Sequence, residues 1–530
     1  MIWVDRVVKD LKNRKKKLEW VDDMKTPSGR IHVGSLRGVL IHDLVYKVLV
    51  ENNINARFTW VFEDHDPMDA IPSYLDFDKW EKYAGMPLYK VPSPEKGFKN
   101  FAEYYALEFQ KVFEALNCHP EILWMSQIYK IGKMNGVVKD ALDNADKIRK
   151  IYKKISKVDK PKDWYPFNVI CENCGKIGTT YVYKWDGKVV SYRCVPQMVA
   201  WAKGCGHEGK ISPYDGNGKM PWRVEWPAKW KVIGVTVEGG GKDHMSSGGS
   251  HDMASVVAKE IFKYPVPYPL AYEFITIGGG RKMSSSLGTG TSATEFSKML
   301  PPELGRFLIV RAPIHVAVDF DPQGETILNL FDDYDRCVEA YFRKIEHNIP
   351  DGKEGEVLSD FARIIELSQV RELPKKRLYL PRFRTIVNLL KTKTDLVEFF
   401  ETQKGNKFTK EENSLLKERV TFAKNYLKNY AAKEDKIEFI KTLPNNLTLS
   451  PVQKEFLILL SNKLEGAQKK DRDEIQTIVF DTIKSKGFQP KEVFKGFYRI
   501  LIGRDFGPKA SDLIIDFGIK KVTDRIKEVV

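Results

Sequence analysis

The chain has 530 residues, with 86 Lys and Arg against 71 Asp and Glu, a formal charge of +15 and a pI near 9.1. That length allows about three or four domains of ~150 residues, and 42% apolar side chains with 11 Trp exclude a disordered chain. Met1 to Lys17 carries no signal-like apolar core, and no apolar run approaches the ~20 residues needed to cross a bilayer, so a cytoplasmic protein with no membrane partner is expected.

Leu18 to Met24 reads as a strand ending in Thr26-Pro-Ser-Gly29, Val33 to Val50 as a helix, and Asn55 to Phe62 as a second strand ending in acidic residues. Strand, Gly-containing turn, helix and strand predict a βαβ unit and a doubly wound parallel sheet. The string Ser28-Gly29-Arg-Ile-His32-Val-Gly34-Ser35 falls where the first strand gives way to the helix. A helix N-terminus offers backbone N–H groups and a positive dipole end, glycines admit a nucleotide close to the backbone, and His32 adds a donor for phosphate. Alone, the string also fits a plain turn with a surface histidine.

Further along, Cys171-x-x-Cys174, Cys194 and Cys205, followed by Gly206-His207, have the spacing of a zinc ribbon: two knuckles giving four thiolates to a structural Zn²⁺. His207 is an alternative fourth ligand. Gly278-Gly-Gly-Arg281-Lys282-Met283-Ser284-Ser285-Ser286-Leu-Gly288 presents a lysine, an arginine and three hydroxyls between glycines, a set suited to grip a triphosphate or, alone, to serve as a linker.

All 11 Trp lie at or before Trp230, and the remainder reads as helical. Thr409-Lys-Glu-Glu412 and Ser450-Pro-Val-Gln453 are capping-box patterns, and Phe456, Leu459, Leu460 and Leu464 recur at three-to-four spacing. A helix bundle is predicted there.

His32-Val-Gly34-Ser35 and, about 250 residues later, Lys282-Met-Ser-Ser-Ser286 resemble the two signature motifs of class I aminoacyl-tRNA synthetases. Trp60-Val-Phe-Glu-Asp64-His-Asp66-Pro67, Trp222-Arg-Val-Glu-Trp226-Pro-Ala-Lys-Trp230, Gly241-Lys-Asp243-His244 and Tyr498 to Lys509 are similar to strings of the class I lysyl-tRNA synthetase family. Ser285 stands where most class I enzymes carry a second lysine, a feature the lysyl subclass shares. Pro92 to Tyr105 holds no Cys or His, so no extra metal is expected there.

The resemblance implies an α/β Rossmann-type catalytic domain with an inserted connective region and zinc ribbon, then an all-α anticodon-binding domain. The expected boundaries are 1–95 for the first catalytic half, 96–212 for the insertion with the ribbon at 166–210, 213–300 for the second half with its KMSKS-type loop, 301–370 for a linking and stem-contact region, and 371–530 for the anticodon-binding part. It implies a lysine–tRNA ligase using ATP and Mg²⁺ with L-lysine and tRNA(Lys) as partners, expected as a monomer. Catalysis would fall to His32, Gly34, Ser35, Lys282, Ser284, Ser285 and Ser286. ATP would be held by Ser28, Gly29, His32, Gly34, Gly241, Asp243, Lys282 and Met283. Lysine would meet Gly29, Asp64, Asp66, Trp222, His244 and Tyr272. Tyr334, Arg336, Arg382, Arg384, Tyr426, Tyr430, Tyr498 and Arg499 are available to meet anticodon bases. A glutamyl-type enzyme, or a tRNA-binding paralogue that no longer aminoacylates, would share some of these features.

Overall fold

A computed structural model describes residues 1–276, 291–390, 395–431, 439–444, 447–468, 472–507 and 509–530. The chain forms two units, one of Met1–Asp321 with Arg336–Lys376 and one of Pro322–Asp335 with Arg377–Val530. The linking region expected at 301–370 is thus divided, since 322–335 goes with the second unit.

The first unit opens with helix α1 (Trp3–Asn13), whose Val4, Val7, Val8 and Leu11 form one buried stripe. Strand β1 (Glu19–Lys25), helix α2 (Gly34–Glu51) and strand β2 (Ala56–Phe62) follow, each beginning one residue later than expected. Twelve residues of α2 are buried, charged Arg37 and Asp43 among them. The sheet has five strands, all parallel, in the order Tyr268–Tyr272, Val237–Gly241, β1, β2, β3 (Glu121–Trp124). Strand β3 corrects the expected domain boundary: it and the preceding helix Phe101–Ala115 lie within 96–212, yet β3 pairs with β2 from Thr59 to Phe62. The first catalytic half therefore runs to Trp124, and the insertion begins beyond it.

The order in which strands are added reverses between β1 and Val237–Gly241, because β1 leads through α2 to β2 on one side while the later strands add on the other. In open α/β sheets, the crevice at the carboxyl ends of two such strands is where ligands bind. Here those ends are Lys25 and Gly241. Between β3 and this crevice the chain makes helices from Met125 to Ile151 and an antiparallel ribbon of Thr180–Trp185, Val190–Cys194 and Glu208–Ile211.

The second unit is helical. Both capping boxes form: Glu412 N–H donates to the Thr409 hydroxyl and Gln453 N–H to the Ser450 hydroxyl, with Pro451 in the first turn. Phe456, Leu460, Leu464, Phe497, Ile500, Leu501, Ile514 and Val522 fill its core. Among the described residues no helix is long and apolar enough to cross a membrane.

Candidate active site and thiol cluster

A cavity of about 490 Å³ opens at the crevice. Met24, Lys25 and Thr26 line it from the end of β1, and Gly239, Gly240 and Gly241 from the neighbouring strand. Ser28, His32, Gly34 and Ser35 bring the positive end of α2 to the same space. Trp222, Trp226, Asp243, His244 and Tyr272 complete it with Asp23, Trp60 and Phe274. The expected site residues Ser28, His32, Gly34, Ser35, Gly241, Asp243, Trp222, His244 and Tyr272 are therefore brought together.

The glycines of Val237–Gly241 are required by proximity. A Cβ on Gly239 would lie 2.2 Å from the Leu270 carbonyl oxygen of the adjoining strand. The bare backbone also lets Gly239 N–H donate to His42 Nε2 at 2.9 Å. Buried Asp23 favours a charged imidazole, but a backbone N–H leaves Nε2 only as an acceptor. The ring is therefore neutral, its proton on Nδ1, 2.8 Å from the Gly38 carbonyl and 3.3 Å from Asp23 Oδ2.

The aromatic wall is built as a ladder. Trp222 stacks on Trp226 at 5.0 Å and 19°, and His244 meets Trp222 edge-on at 5.2 Å. Trp226 Nε1 donates to Glu238 at 2.9 Å and Trp230 Nε1 donates to the other oxygen. Burial raises the Glu238 carboxyl to about 7. Burial, followed by the charges of Asp23 and Asp243, drives the Tyr272 phenol well above its usual range, so it stays a donor.

His32 is tied to the far side of the site. It forms an antiparallel bridge with Ser292, Val33 N–H donates to the Thr291 carbonyl, and Ala293 N–H to the Ile31 carbonyl. Thr276 lines the cavity. Arg281, Lys282, Met283, Ser284, Ser285 and Ser286 lie outside the described residues, between Thr276 and Thr291. Buried Arg37 fixes the approach to that segment, donating to the carbonyls of Phe274, Pro313, Ile314 and Val316. Gly29 begins the turn into the site but does not line the cavity.

Two expected lysine contacts are placed elsewhere. Asp64 is buried, and its carboxylate accepts Ser126 N–H at 2.7 Å and the Ser126 hydroxyl at the start of the next helix. Burial raises it to about 6. Asp66 faces a second cavity and accepts from Thr26 at 2.7 Å and from Lys219. Burial alone would raise Asp66, but Lys219 outweighs it and holds the carboxyl below its usual range. Both aspartates looked available because a strand end beside a cleft is a common ligand position, and the helix and lysine that occupy them come from residues 126 and 219. Asp23 was missed for the converse reason. In sequence it is one of several acids in a strand, and only the pairing of β1 with both neighbours turns it into the crevice.

The second cavity, about 590 Å³, shares Met24, Lys25, Thr26, Ser28, Trp222 and His244 with the first. Glu63, Asp66 and Glu225 converge there, but with cations among them: Lys219 is 2.8 Å from Glu225 and also pairs with Asp66, and Lys229 pairs with Glu63. This is a buried ion network rather than a set awaiting a metal.

The ribbon brings the four cysteines together, all sulfurs within 4.8 Å of one another. Cys171 and Cys205 Sγ are 3.6 Å apart, and Cys174 and Cys194 3.7 Å. A tetrahedron with bonds of about 2.3 Å has edges of about 3.8 Å, so the set fits zinc. Gly175 and Gly206 take φ of +73° and +80°, and their N–H groups donate to the carbonyls of Cys171 and Cys194, closing the two knuckles. Cys205 supplies the fourth thiol. His207 instead gives its carbonyl to Cys194 N–H and rests its ring near Tyr192.

Of the proposed anticodon residues, several are committed within the second unit. Arg382 pairs with Asp332, Asp512 and Asp516, Arg384 with Glu325 and Asp332, and Tyr426 and Tyr498 are buried. Arg499 is partly exposed and pairs with Asp505. Arg336 is exposed, and Tyr334 and Tyr430 are half-buried.

A helix N-terminus with its histidine, set beside the second strand of a parallel-sheet switch point, is the nucleotide-site architecture of the class I tRNA synthetases. Residues 1–371 match the family of tRNA synthetases class I (K), and residues 380–530 match an anticodon binding domain. The chain is 31% identical over 540 residues to a lysine–tRNA ligase of Methanosphaera stadtmanae, covering 98% of each. It is 31% identical to a lysine–tRNA ligase of Picrophilus torridus, covering 100% of this chain and 99% of that one, and 32% identical to one of Methanosarcina barkeri, covering 99% and 97%. The chain belongs to the class I (K) tRNA synthetase family.

Proposed function

We propose that this chain is a lysine–tRNA ligase, which activates lysine with ATP and passes the lysyl group to the 3′-terminal adenosine of tRNA(Lys). The observation that carries the reading is the cavity at the switch point. It joins a phosphate-ready helix end (Ser28, His32, Gly34, Ser35) to an aromatic and acidic pocket (Trp222, His244, Tyr272, Asp23) suited to a cationic amino acid. A glutamyl enzyme would need cationic groups for its substrate's side chain, and of the second cavity's lysines Lys219 and Lys229 are already paired with acids.

In the first step a carboxylate oxygen of lysine attacks the α-phosphorus of ATP, the bond to the β-phosphate bridging oxygen breaks, and pyrophosphate leaves. Such chemistry asks for positioning and charge stabilisation more than for a covalent side chain. His32 and the end of α2 would stabilise charge on the phosphates from one side, and Lys282 with Ser284, Ser285 and Ser286 from the loop. Asp243 beside Gly241 would meet the ribose hydroxyls. Mg²⁺ would supply further charge neutralisation on the phosphates. In the second step the 2′-hydroxyl of the terminal adenosine attacks the lysyl carbonyl and AMP leaves. The four thiolates of the ribbon would hold a structural zinc with no open position, and the +15 charge suits a tRNA reaching from the ATP site to the helical unit.

The test is ATP–pyrophosphate exchange with each amino acid in turn. Exchange with lysine alone is expected. Exchange with glutamate would move the assignment to a glutamyl-type enzyme, and exchange with no amino acid to a tRNA-binding paralogue. Lys282→Ala is expected to lower exchange far more than lysine affinity, and equal losses would remove its assigned role.

A further inference from the structure

The two aspartates expected to meet lysine are occupied elsewhere, so its side-chain ammonium needs another carboxylate. Among the described residues lining the first cavity, the carboxylates are Asp23 and Asp243. Asp243 sits on the short turn after Gly241, beside His244, where the nucleotide ribose is placed. Asp23 is different. It is 6% exposed, and among the described residues its carboxylate meets Met24 N–H at 2.8 Å and the neutral His42 but no lysine or arginine within ion-pair distance.

The glycine at 38 lets Asp23 and Tyr272 close on helix α2. A Cβ on Gly38 would lie 2.5 Å from Asp23 Oδ2 and 2.7 Å from Tyr272 Oη, so carboxylate and phenol converge against the bare backbone of α2. Gly38 is four residues beyond Gly34, about 6 Å along the helix axis from the end where the phosphates are placed. The ε-ammonium of lysine stands at a similar distance from its reacting carboxylate, four methylenes beyond Cα.

We propose that Asp23 receives the ε-ammonium of the substrate, with Tyr272 beside it and Gly38, lacking a Cβ, allowing both to sit against α2 at the cavity wall. The inference rests on the lysine–tRNA ligase reading. An ammonium entering here gains a charge-assisted hydrogen bond to a carboxylate that is largely buried. Norleucine, which has the same chain without the ammonium, would leave Asp23 buried and without a cation, a cost that gives strong rejection.

The test uses the full-length protein in ATP–pyrophosphate exchange, varying lysine and ATP separately. Asp23→Asn is expected to raise KM for lysine at least 100-fold, to leave KM for ATP within about threefold, and to shrink the preference for lysine over norleucine by a similar factor. Gly38→Ala, which pushes into the carboxylate without removing it, is expected to raise KM for lysine about tenfold with the same ATP behaviour. The proposal is overturned if a folded Asp23→Asn protein keeps KM for lysine within threefold or loses lysine and ATP affinity equally. If Asp23→Asn does not fold, an unchanged KM for lysine in Gly38→Ala overturns it. Absence of lysine-dependent exchange in the unmodified protein would instead strike the underlying reading.

Discussion

The two adjoining cavities share six residues and treat charge in opposite ways. In the second, Lys219 and Lys229 lie in contact with Glu63, Asp66 and Glu225, and the site is self-neutralised. In the first, the Asp23 carboxylate meets a backbone N–H and the His42 imidazole, and Trp222, His244 and Tyr272 line the same cavity. Burying charge is costly unless a partner is present. One set of acids is in direct contact with lysines, whereas among the described residues the neighbouring Asp23 has no lysine or arginine within ion-pair distance, which leaves room for a cation from outside. The difference separates what holds the crevice together from what binds in it.

The largest expected effect comes from breaking the paired cavity. Lys219→Met leaves Asp66 and Glu225 buried with no cation in contact and is expected to destabilise the first unit by about 3–5 kcal/mol, read by urea denaturation. Asp23→Asn is expected to change stability by no more than about 1 kcal/mol, because the amide still accepts Met24 N–H. If the two variants lose stability equally, the contrast between the cavities fails.

Next comes the ribbon, which contributes Ile177, Gly178 and Trp201 to the second cavity and nothing to the first. Cys194 is buried and receives Cys205 N–H at 3.3 Å in addition to facing the other thiols. Cys194→Ser is expected to lower bound zinc from about one per chain to none, with a lower unfolding temperature while lysine-dependent exchange persists. Elemental analysis and calorimetry read the two effects. Full zinc content in the variant would remove the four-thiolate assignment.

A smaller effect tests the open cavity's wall. Glu238→Gln keeps one acceptor but turns an amide toward one of the indole N–H groups of Trp226 and Trp230, which both donate. The stack under Trp222 should loosen, raising KM for lysine about three- to tenfold with KM for ATP unchanged. Equal shifts in both constants would mean that the ladder supports the whole crevice rather than the amino-acid side.

Much of this was legible in the sequence. Thr26 to Ser35, the capping boxes and the cysteine spacing are local patterns, and each formed where its local chemistry required. What escaped depends on pairing across long separations. Strand β3 is only four residues and was absorbed into the insertion, and its membership in the sheet is set by its register with Thr59 to Phe62. In sequence Arg382 and Arg384 could be ranked neither as RNA contacts nor as core residues, and it is Asp332, Asp512 and Asp516, from positions as far as 134 residues away, that engage them. Asp64 and Asp66 likewise take partners from distant residues, Ser126 and Lys219. The residue type announces what a side chain can bind, and the tertiary partner decides whether it is already bound.

Asp64 offers the finest test of that principle. Its carboxyl titrates at about 6 rather than the ordinary 3.8 because burial outweighs the two hydrogen bonds from Ser126. A folded-state value above the unfolded one means that the folded protein holds the proton more tightly, so folding is favoured at low pH and that contribution is lost as pH rises from 3.8 through about 6. Asp64→Asn removes the titration while leaving an acceptor for Ser126 N–H. The variant is expected to show a shallower decline of stability with pH across that window than the unmodified protein, and lysine-dependent exchange close to normal, because Asp64 caps a helix and does not line the cavity. A large rise in KM for lysine would return Asp64 to the substrate site and take with it the division between satisfied and waiting acids.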